Sequence, residues 1–537
     1  NTKRFVITYN GEIYNFKELR NHLEDKQCSF STNGDTEVLL HLYELYGSKM
    51  LGMLRGMFAL AIWDKVREEL FIARDPYGIK PLYVAYVNGT FIFASQVKAL
   101  IASNLVSKKP CIKGRTGYWL YGSVPEPYTW FDDIKAFPPG CYSIVSKNKT
   151  NLTFNKFFNF SDNWSSNKTI YSYSEALEIV RSSILDSLKH HLIADTNIGI
   201  FLSGGIDSTT LAALITENNM AKVKGLTIRF DEFSDKHQDE VPMAKNIAEK
   251  YGLEHHVRTV KKKEFYNDAQ KIFKSMDQPT IDGINVWYAS KATHELGLKV
   301  ALSGIGGDEL FQGYPSFSHV PKLCKLVNNL SMIPKASFFA KIIFNIIGIK
   351  KNNMRWKYIC NEGGSIFGAY WLKRGLYSPN ELAGLMGNDY LKEYAKTLKP
   401  ASFIEDIVKT LSDDPAINVG QIESQIYLRN QLLRDGDWAS MAHSVELRTP
   451  LVDIELLQSL SPLFSSFKDF KGKNILAHTP DSGLGKKILE RKKTGFGVPA
   501  DWLRSLCEQN KGNSKNINQL GVDSKRWAKV VAESCYD

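Results

Sequence analysis

Along the first 155 residues, apolar and polar positions alternate in short runs, "RFVITYN", "MFALAIWD", "ELFIARD" and "GTFIFAS", separated by polar and Gly/Pro turns. This alternation predicts β-strands. The exception is "DTEVLLHLYELYG" at 35–47, where apolar residues recur at helical spacing. From about residue 174 the pattern changes. "YSEALEIVRSSILDSLKHHL" predicts a helix capped by Ser174, "NIGIFLS" a short buried strand, and "STTLAALITEN" a helix. A strand ("KVKGLTIRF"), a helix ("VPMAKNIAEKYG") and a further strand ("LKVALSG") follow. Strands alternating with helices at this spacing predict a parallel sheet covered on both faces. Beyond about residue 315 the pattern is mainly helical. Residues 146–174, dense in Asn, Ser and Thr, predict a surface linker between a domain over 1–155 and another over 170–537.

A chain of 537 residues is long enough for two domains, each with its own core. Its 43% hydrophobic and 23% charged residues are ordinary for a soluble globular protein. Seven scattered cysteines without a CxxC pair predict reduced thiols, a cytoplasmic location and no zinc site. The net charge of +11 comes mostly from lysines spread along the chain, which predicts a solvated basic surface, with no nucleic acid or membrane as partner. The most apolar stretch, 336–350, is interrupted by Lys341 and Asn345 and is too short to span a bilayer; it predicts a helix packed on the core. The chain begins at Asn1 inside a strand pattern, so its start is expected to be missing.

Two predicted strands run into Gly-rich turns with an acidic residue, "LSGGIDS" (202–208) and "LSGIGGDELF" (302–311). In open parallel sheets, ligands sit beyond the carboxyl ends of the strands. Gly204 and Gly205 allow a tight turn that brings N–H groups to an anion, while Ser203, Ser208 and the helix N-terminus add donors. There is no Gly-Lys-Ser/Thr ending. Asp207 beside a phosphate makes sense as a ligand of phosphate-bound Mg²⁺, with Asp308 holding the same ion from the second turn. Either turn alone could be a plain strand-to-helix connection; two at consecutive strand ends favour the phosphate site.

"SGGIDS" resembles the pyrophosphate loop of ATP pyrophosphatases, which cleave ATP between the α- and β-phosphates. "YNGEIYNFKELR", "RDPYGIKPLY" and "VPEPYTWFDDIKAFPPG" resemble the glutaminase half of glutamine-hydrolysing asparagine synthetases. "DGDWASMAHSVELRTPLVD" (435–453) and "RKKTGFGVPADWL" (491–503) resemble their synthetase half. The resemblance runs in the family's order over nearly the whole chain. It implies an α/β fold: an N-terminal αββα sandwich of the N-terminal-nucleophile type, then a doubly wound parallel sheet with a helical extension. It also implies ATP and Mg²⁺ as cofactors, with ATP, L-aspartate and glutamine or ammonia as small-molecule substrates and a homodimer as the candidate assembly. A carboxylate becomes an acyl-adenylate with release of pyrophosphate, and ammonia arriving through an internal tunnel forms the amide and AMP. The same chemistry on another carboxylate, such as a sugar uronic acid, and a catalytically decayed ATP-binding scaffold are the alternatives. An RNA-modifying pyrophosphatase fits less well, because a glutaminase-like domain occupies the N-terminus.

The family's residue roles carry over position by position. Asn10, Gly11 and Glu12 match its Asn-Gly-Glu, for the oxyanion hole and glutamine binding, and Asp35 matches the aspartate that holds the glutamine α-amino group. Leu202, Ser203, Gly204, Gly205, Ile206, Asp207 and Ser208, with Ile228, Ser303 and Gly304, are implied around ATP and pyrophosphate. Asp207 and Asp308 are the implied metal ligands. Lys493, matching the lysine before Gly-Phe, completes the implied catalytic set by stabilising charge as the adenylate forms. Asp437 and Arg448 match polar positions for which an ion-pair role and substrate contact both stay open. The family's glutaminase nucleophile is an N-terminal cysteine that uses its own amine as base. Only nine residues precede Asn10, and Cys28 is internal, so the chain as written is expected not to hydrolyse glutamine. Ile305 stands where many members carry a carboxylate, and "MDQPTIDGIN" (276–285) also departs from the common wording. Glu309 or solvent taking over as base, or a different nucleophile or substrate, are the open consequences.

Overall fold

The structure, a computed structural model, describes residues 4–146, 152–164, 171–332, 354–386, 400–405, 407–470, 472–491, 497–509 and 523–536. The apolar stretch 336–350 and Lys493 lie outside the described residues.

The alternating N-terminal segments become eight strands: β1 (Phe5–Ile13), β2 (Gly56–Asp64), β3 (Glu69–Arg74), β4 (Tyr83–Val87), β5 (Thr90–Ala94), β6 (Lys135–Ala136), β7 (Cys141–Ser146) and β8 (Asn155–Lys156). They form two antiparallel sheets, ordered β1-β2-β3-β7-β8 and β5-β4-β6. Period two decides which face each residue serves. Phe58, Leu60, Ile62 and Phe71 pack under the helices Phe16–Glu24 and Asp35–Tyr46. Ala59, Ala61 and Ile72 point the other way, into a shared core with Val84 of the second sheet and Phe137 just after β6. Helices Val97–Ala102 and Ile112–Tyr121 cover that sheet's far side, completing the helix–sheet–sheet–helix order that the resemblance implies.

Two local expectations are corrected. Within the stretch read as a surface linker, the described part 152–164 packs on the core: Phe160 and Trp164 are buried, and Trp164 stacks on Phe464 with ring centroids 4.4 Å apart. The next helix, Tyr173–His191, is capped by Ser172 rather than Ser174. Glu175 lies at the right spacing from Ser172 for a reciprocal pair, in which each side chain accepts from the other residue's N–H, at 3.3 and 2.8 Å.

The second half is built on β9 (Ile198–Phe201), β10 (Val223–Phe230), β11 (Glu254–Val260), β12 (Val300–Leu302) and β13 (Glu446–Arg448), an all-parallel sheet ordered β11-β10-β9-β12-β13. The chain winds outward from β9 to β11, then returns to the other side of β9 with β12. The β9/β12 boundary is therefore the topological switch point, where open parallel sheets form their ligand crevice. Helices Tyr173–His191, Ile206–Glu217 and Val241–Tyr251 cover one face, and Lys262–Ser275 and Ile284–Glu295 the other. A helical extension follows, in which the π-helix Glu423–Leu433 runs directly into the helix Arg434–Met441.

The second half meets the glutaminase-like half through polar contacts. Arg55 clamps Asp453 through two bonds of 2.9 Å and reaches Asp186 at 2.6 Å. Arg429 donates to the Tyr77 carbonyl at 2.9 Å. Asp437 pairs with Lys80 at 3.1 Å, which makes it an ion-pair residue across the two halves. Among the described residues, no helix is long and apolar enough to cross a membrane.

Candidate active site

Two glycine-rich turns meet at the switch point. After β9 the chain passes Gly204, whose φ of +66° lies in the left-handed region, and enters the helix Ile206–Glu217 at Gly205. The Ser203 and Ser208 hydroxyls lie 3.1 Å apart, and Ser203 Oγ accepts from the Gly205 N–H at 3.3 Å. The turn after β12 presses against this one. A Cβ on Gly307 would stand 2.3 Å from Asp207 Oδ1, so anything larger than glycine must push that carboxylate or the turn aside.

The close approach brings Asp207 and Asp308 to one point, and a residue without any signal in the sequence stands there. Lys473 Nζ lies 2.5 Å from Asp207 Oδ2 and 2.6 Å from Asp308 Oδ1. Burial works against its charge, but the two carboxylates outweigh that and raise its pKa. Lys473 sits in the polar run "FKGKNILAH", where periodicity singles out no lysine. The carboxylates are thus spaced to share one cation. Among the described residues no cluster of three or more His, Cys, Asp or Glu could hold a metal. Two carboxylates completed by phosphate oxygens and water are what Mg²⁺ uses, so the donor set fits that ion.

Beyond the turns opens a cavity of about 450 Å³, lined by Leu202, Ser203, Asp207, Ser208, Ile228, Ser303, Gly304 and Asp308 from the expected set. Gly204, Gly205 and Ile206 form the turn beneath it. Residues with no role read from the sequence complete the wall, chiefly Glu240, Asp282, Asn285, Tyr314, Tyr427 and Asp435. Glu309 lines it too. Burial, then Asp308 and Glu423, pushes the Glu309 carboxyl up to about 8, and Tyr314 donates to it at 3.0 Å. Burial also raises Asp282, and burial with Asp282 nearby raises Asp435 well above the carboxylate range. Ile305 borders both this cavity and a void of about 10 Å³ that reaches Lys80 of the first half. It offers that boundary an apolar side chain.

In the first half, Asn10, Gly11 and Glu12 lie on β1, paired with Ala59, Phe58 and Met57 of β2. Asp35 opens the helix Asp35–Tyr46 and accepts from the Tyr9 hydroxyl at 2.8 Å and the Ile13 N–H at 3.1 Å. Asn10 donates to Ser95 Oγ at 3.3 Å. Burial, opposed by Arg448 but reinforced by Glu446, Asp35 and Asp195, pushes Glu12 up to about 7. Arg448 comes from the other half: it reaches Glu12 at 3.5 Å and Glu446 at 2.6 Å, taking the ion-pair role left open for it.

Comparison with known proteins agrees with this geometry. The family described as "Asparagine synthase" matches residues 179–533, and "Glutamine amidotransferase domain" matches residues 1–158. "Asparagine synthetase [glutamine-hydrolyzing] 1" of Bacillus subtilis (strain 168) is 31% identical over 531 residues, covering 94% of this chain and 79% of its own. A "Putative asparagine synthetase [glutamine-hydrolyzing]" of Mycobacterium tuberculosis (strain ATCC 25618 / H37Rv) is 30% identical over 519 residues, covering 94% and 76%. The chain is an ATP-using ligase joined to a glutamine amidotransferase domain. It belongs to the asparagine synthase family.

Proposed function

We propose that the protein makes L-asparagine from L-aspartate, ATP and glutamine or ammonia, releasing AMP and pyrophosphate. The observation that carries this is the convergence of Asp207 and Asp308 on one cation position at the mouth of the switch-point cavity. An aspartate β-carboxylate oxygen attacks the ATP α-phosphorus and pyrophosphate departs. The ammonia nitrogen then attacks the acyl carbon, loses a proton, and AMP leaves. Asp207 and Asp308 would hold Mg²⁺, which neutralises charge on the departing pyrophosphate. Ser203, Ser208 and the N–H groups of the 204–206 turn bind phosphate, at the positive end of the helix Ile206–Glu217. Leu202, Ile228, Ser303 and Gly304 enclose the nucleotide. Lys473 supplies positive charge beside the phosphates, and Lys493 is assigned the same task on the adenylate.

In the same proposal, the glutaminase domain spans 1–155, with Asn10, Gly11, Glu12 and Asp35 around glutamine, and the synthetase domain spans 170–537. The protein works in the cytoplasm as a homodimer and without nucleic acid. Ammonia passes between the two halves inside the protein.

The experiment supplies ATP, Mg²⁺, L-aspartate and ammonium and follows AMP, pyrophosphate and asparagine. Aspartate-dependent AMP with equimolar asparagine is expected, and Asp308→Asn should reduce it by at least about 100-fold. AMP formation indifferent to aspartate would sink the proposal.

One observation favours a second acceptor. Asp282 and Tyr427 also line an adjoining cavity of about 250 Å³ with Arg374 and Tyr121, room for a carboxylate larger than aspartate. Turnover of such a carboxylate in preference to aspartate would establish that reading instead.

A further inference from the structure

We infer that Arg448 is a positioning residue for the glutamine pocket and ties that pocket to the ATP cavity. The inference rests on the roles proposed above for Glu12 and Ser303.

Arg448 ends β13, the edge strand of the parallel sheet, and is almost fully buried. Its guanidinium is held from three sides. It donates to the carbonyls of His191 at 2.9 Å and Ile193 at 2.6 Å, and to Glu446 at 2.6 Å. Its remaining nitrogen, Nη2, faces Glu12 Oε1 at 3.5 Å, across the boundary between the halves. A fork fixed by two carbonyls and a carboxylate has little freedom, so it sets where the Glu12 carboxylate can rest. Lysine could not repeat this, because one ammonium cannot serve that set of acceptors in a plane.

The main chain of the same residue faces the other site. The Arg448 carbonyl accepts from the Ser303 N–H at 2.9 Å, one step beyond the Leu302–Arg448 pair of the β12/β13 ladder. Ser303 lines the ATP cavity and its hydroxyl accepts from the Ile305 N–H at 3.4 Å. One residue therefore holds a glutamine-site carboxylate with its side chain and an ATP-site turn with its backbone. A displacement of the Ser303 turn when ATP binds is passed to Glu12 through a single side chain. By linkage, any such coupling works equally in both directions.

The test uses the whole chain and two measurements: glutamine affinity by calorimetry, which needs no hydrolysis, and ammonium-supported AMP formation. Arg448→Met should raise the glutamine Kd by about tenfold or more, while the ammonium-supported rate falls by no more than about threefold, because the backbone bond to Ser303 survives the substitution. Arg448→Lys should fall between the native protein and the methionine variant, and it carries the test if Arg448→Met does not fold. ATP should shift the glutamine Kd of the native protein by at least about threefold, and that shift should vanish in the variant. An unchanged glutamine Kd, no measurable glutamine binding by the native chain, equal losses in both measurements, or an ATP-induced shift that survives the substitution would overturn the inference. Native protein that binds glutamine but forms no asparagine from ammonium would refute the proposed acceptor and leave this inference to the Kd comparison.

Discussion

Lys473 Nζ lies 2.5 Å from Asp207 Oδ2, and the same ammonium reaches Asp308 at 2.6 Å. A cation is therefore part of the resting architecture of the proposed pyrophosphate site. Removing it leaves two half-buried carboxylates close together. Lys473→Met should cost about 1–3 kcal/mol of stability, between the scales for exposed and for fully buried ion pairs. Millimolar Mg²⁺ should restore much of the lost melting temperature in that variant and little in the native protein. Thermal unfolding with and without Mg²⁺ reads this directly; a variant that ignores the metal would exclude Asp207 and Asp308 as its ligands.

Gly307 sets the separation of the two turns. With a Cβ 2.3 Å from Asp207 Oδ1, Gly307→Ala must push the carboxylate or the turn aside. ATP affinity, measured by calorimetry, should fall by about tenfold or more, the scale set by displacing one well-placed charged contact. The helices far from the turn should keep their circular dichroism.

Glu12 should make glutamine binding sensitive to pH. Its carboxyl, pushed up to about 7 by burial against the opposing pull of Arg448, is ionised only above that value. Glutamine presents an ammonium group, so its affinity should weaken as pH falls through 7, and Glu12→Gln should flatten the profile. The stability effect has the opposite sense. The folded state holds this proton more tightly than the unfolded state does, so Glu12 contributes stability at low pH that is lost as pH rises from about 4.5 to about 7. Melting curves of native protein and Glu12→Gln should coincide at the lower end of that window, where the carboxyl is as neutral as the amide, and diverge towards its upper end. Parallel curves would show that Glu12 does not titrate there.

Arg55 clamps the two halves together. Arg55→Ala would leave Asp453 buried with a bonding partner removed, at a cost of about 3–5 kcal/mol. Calorimetry should then resolve unfolding of the two halves as separate transitions. A single transition at the native temperature would show that the clamp contributes nothing.

Much of the fold was legible along the chain. The runs "MFALAIWD" and "ELFIARD" became β2 and β3, buried on both faces: one face packs under the helices and the other against the second sheet. The two Gly-rich turns were legible as a pair, and the topology places their strands side by side. The short helices Phe16–Glu24, Val97–Ala102 and Ile112–Tyr121 were not read, since six to ten residues give too little periodicity. The π-helix Glu423–Leu433 was also out of reach: its residues serve several surroundings at once, Arg429 the first half and Tyr427 the cavity.

Sequence by itself determined the strand-rich first half, the alternating strands and helices of the second, and the two Gly-rich turns that carry Asp207 and Asp308, because local spacing dictates backbone geometry. Only the tertiary structure decided that Lys473 stands between those aspartates, that Asp282 and Asp435 share their cavity, and that Arg448 reaches Glu12 in the other half. These residues are brought together by strand order and by helices returning across the sheet. Such meetings depend on the whole topology, and no local pattern of hydrophobic and polar positions encodes them.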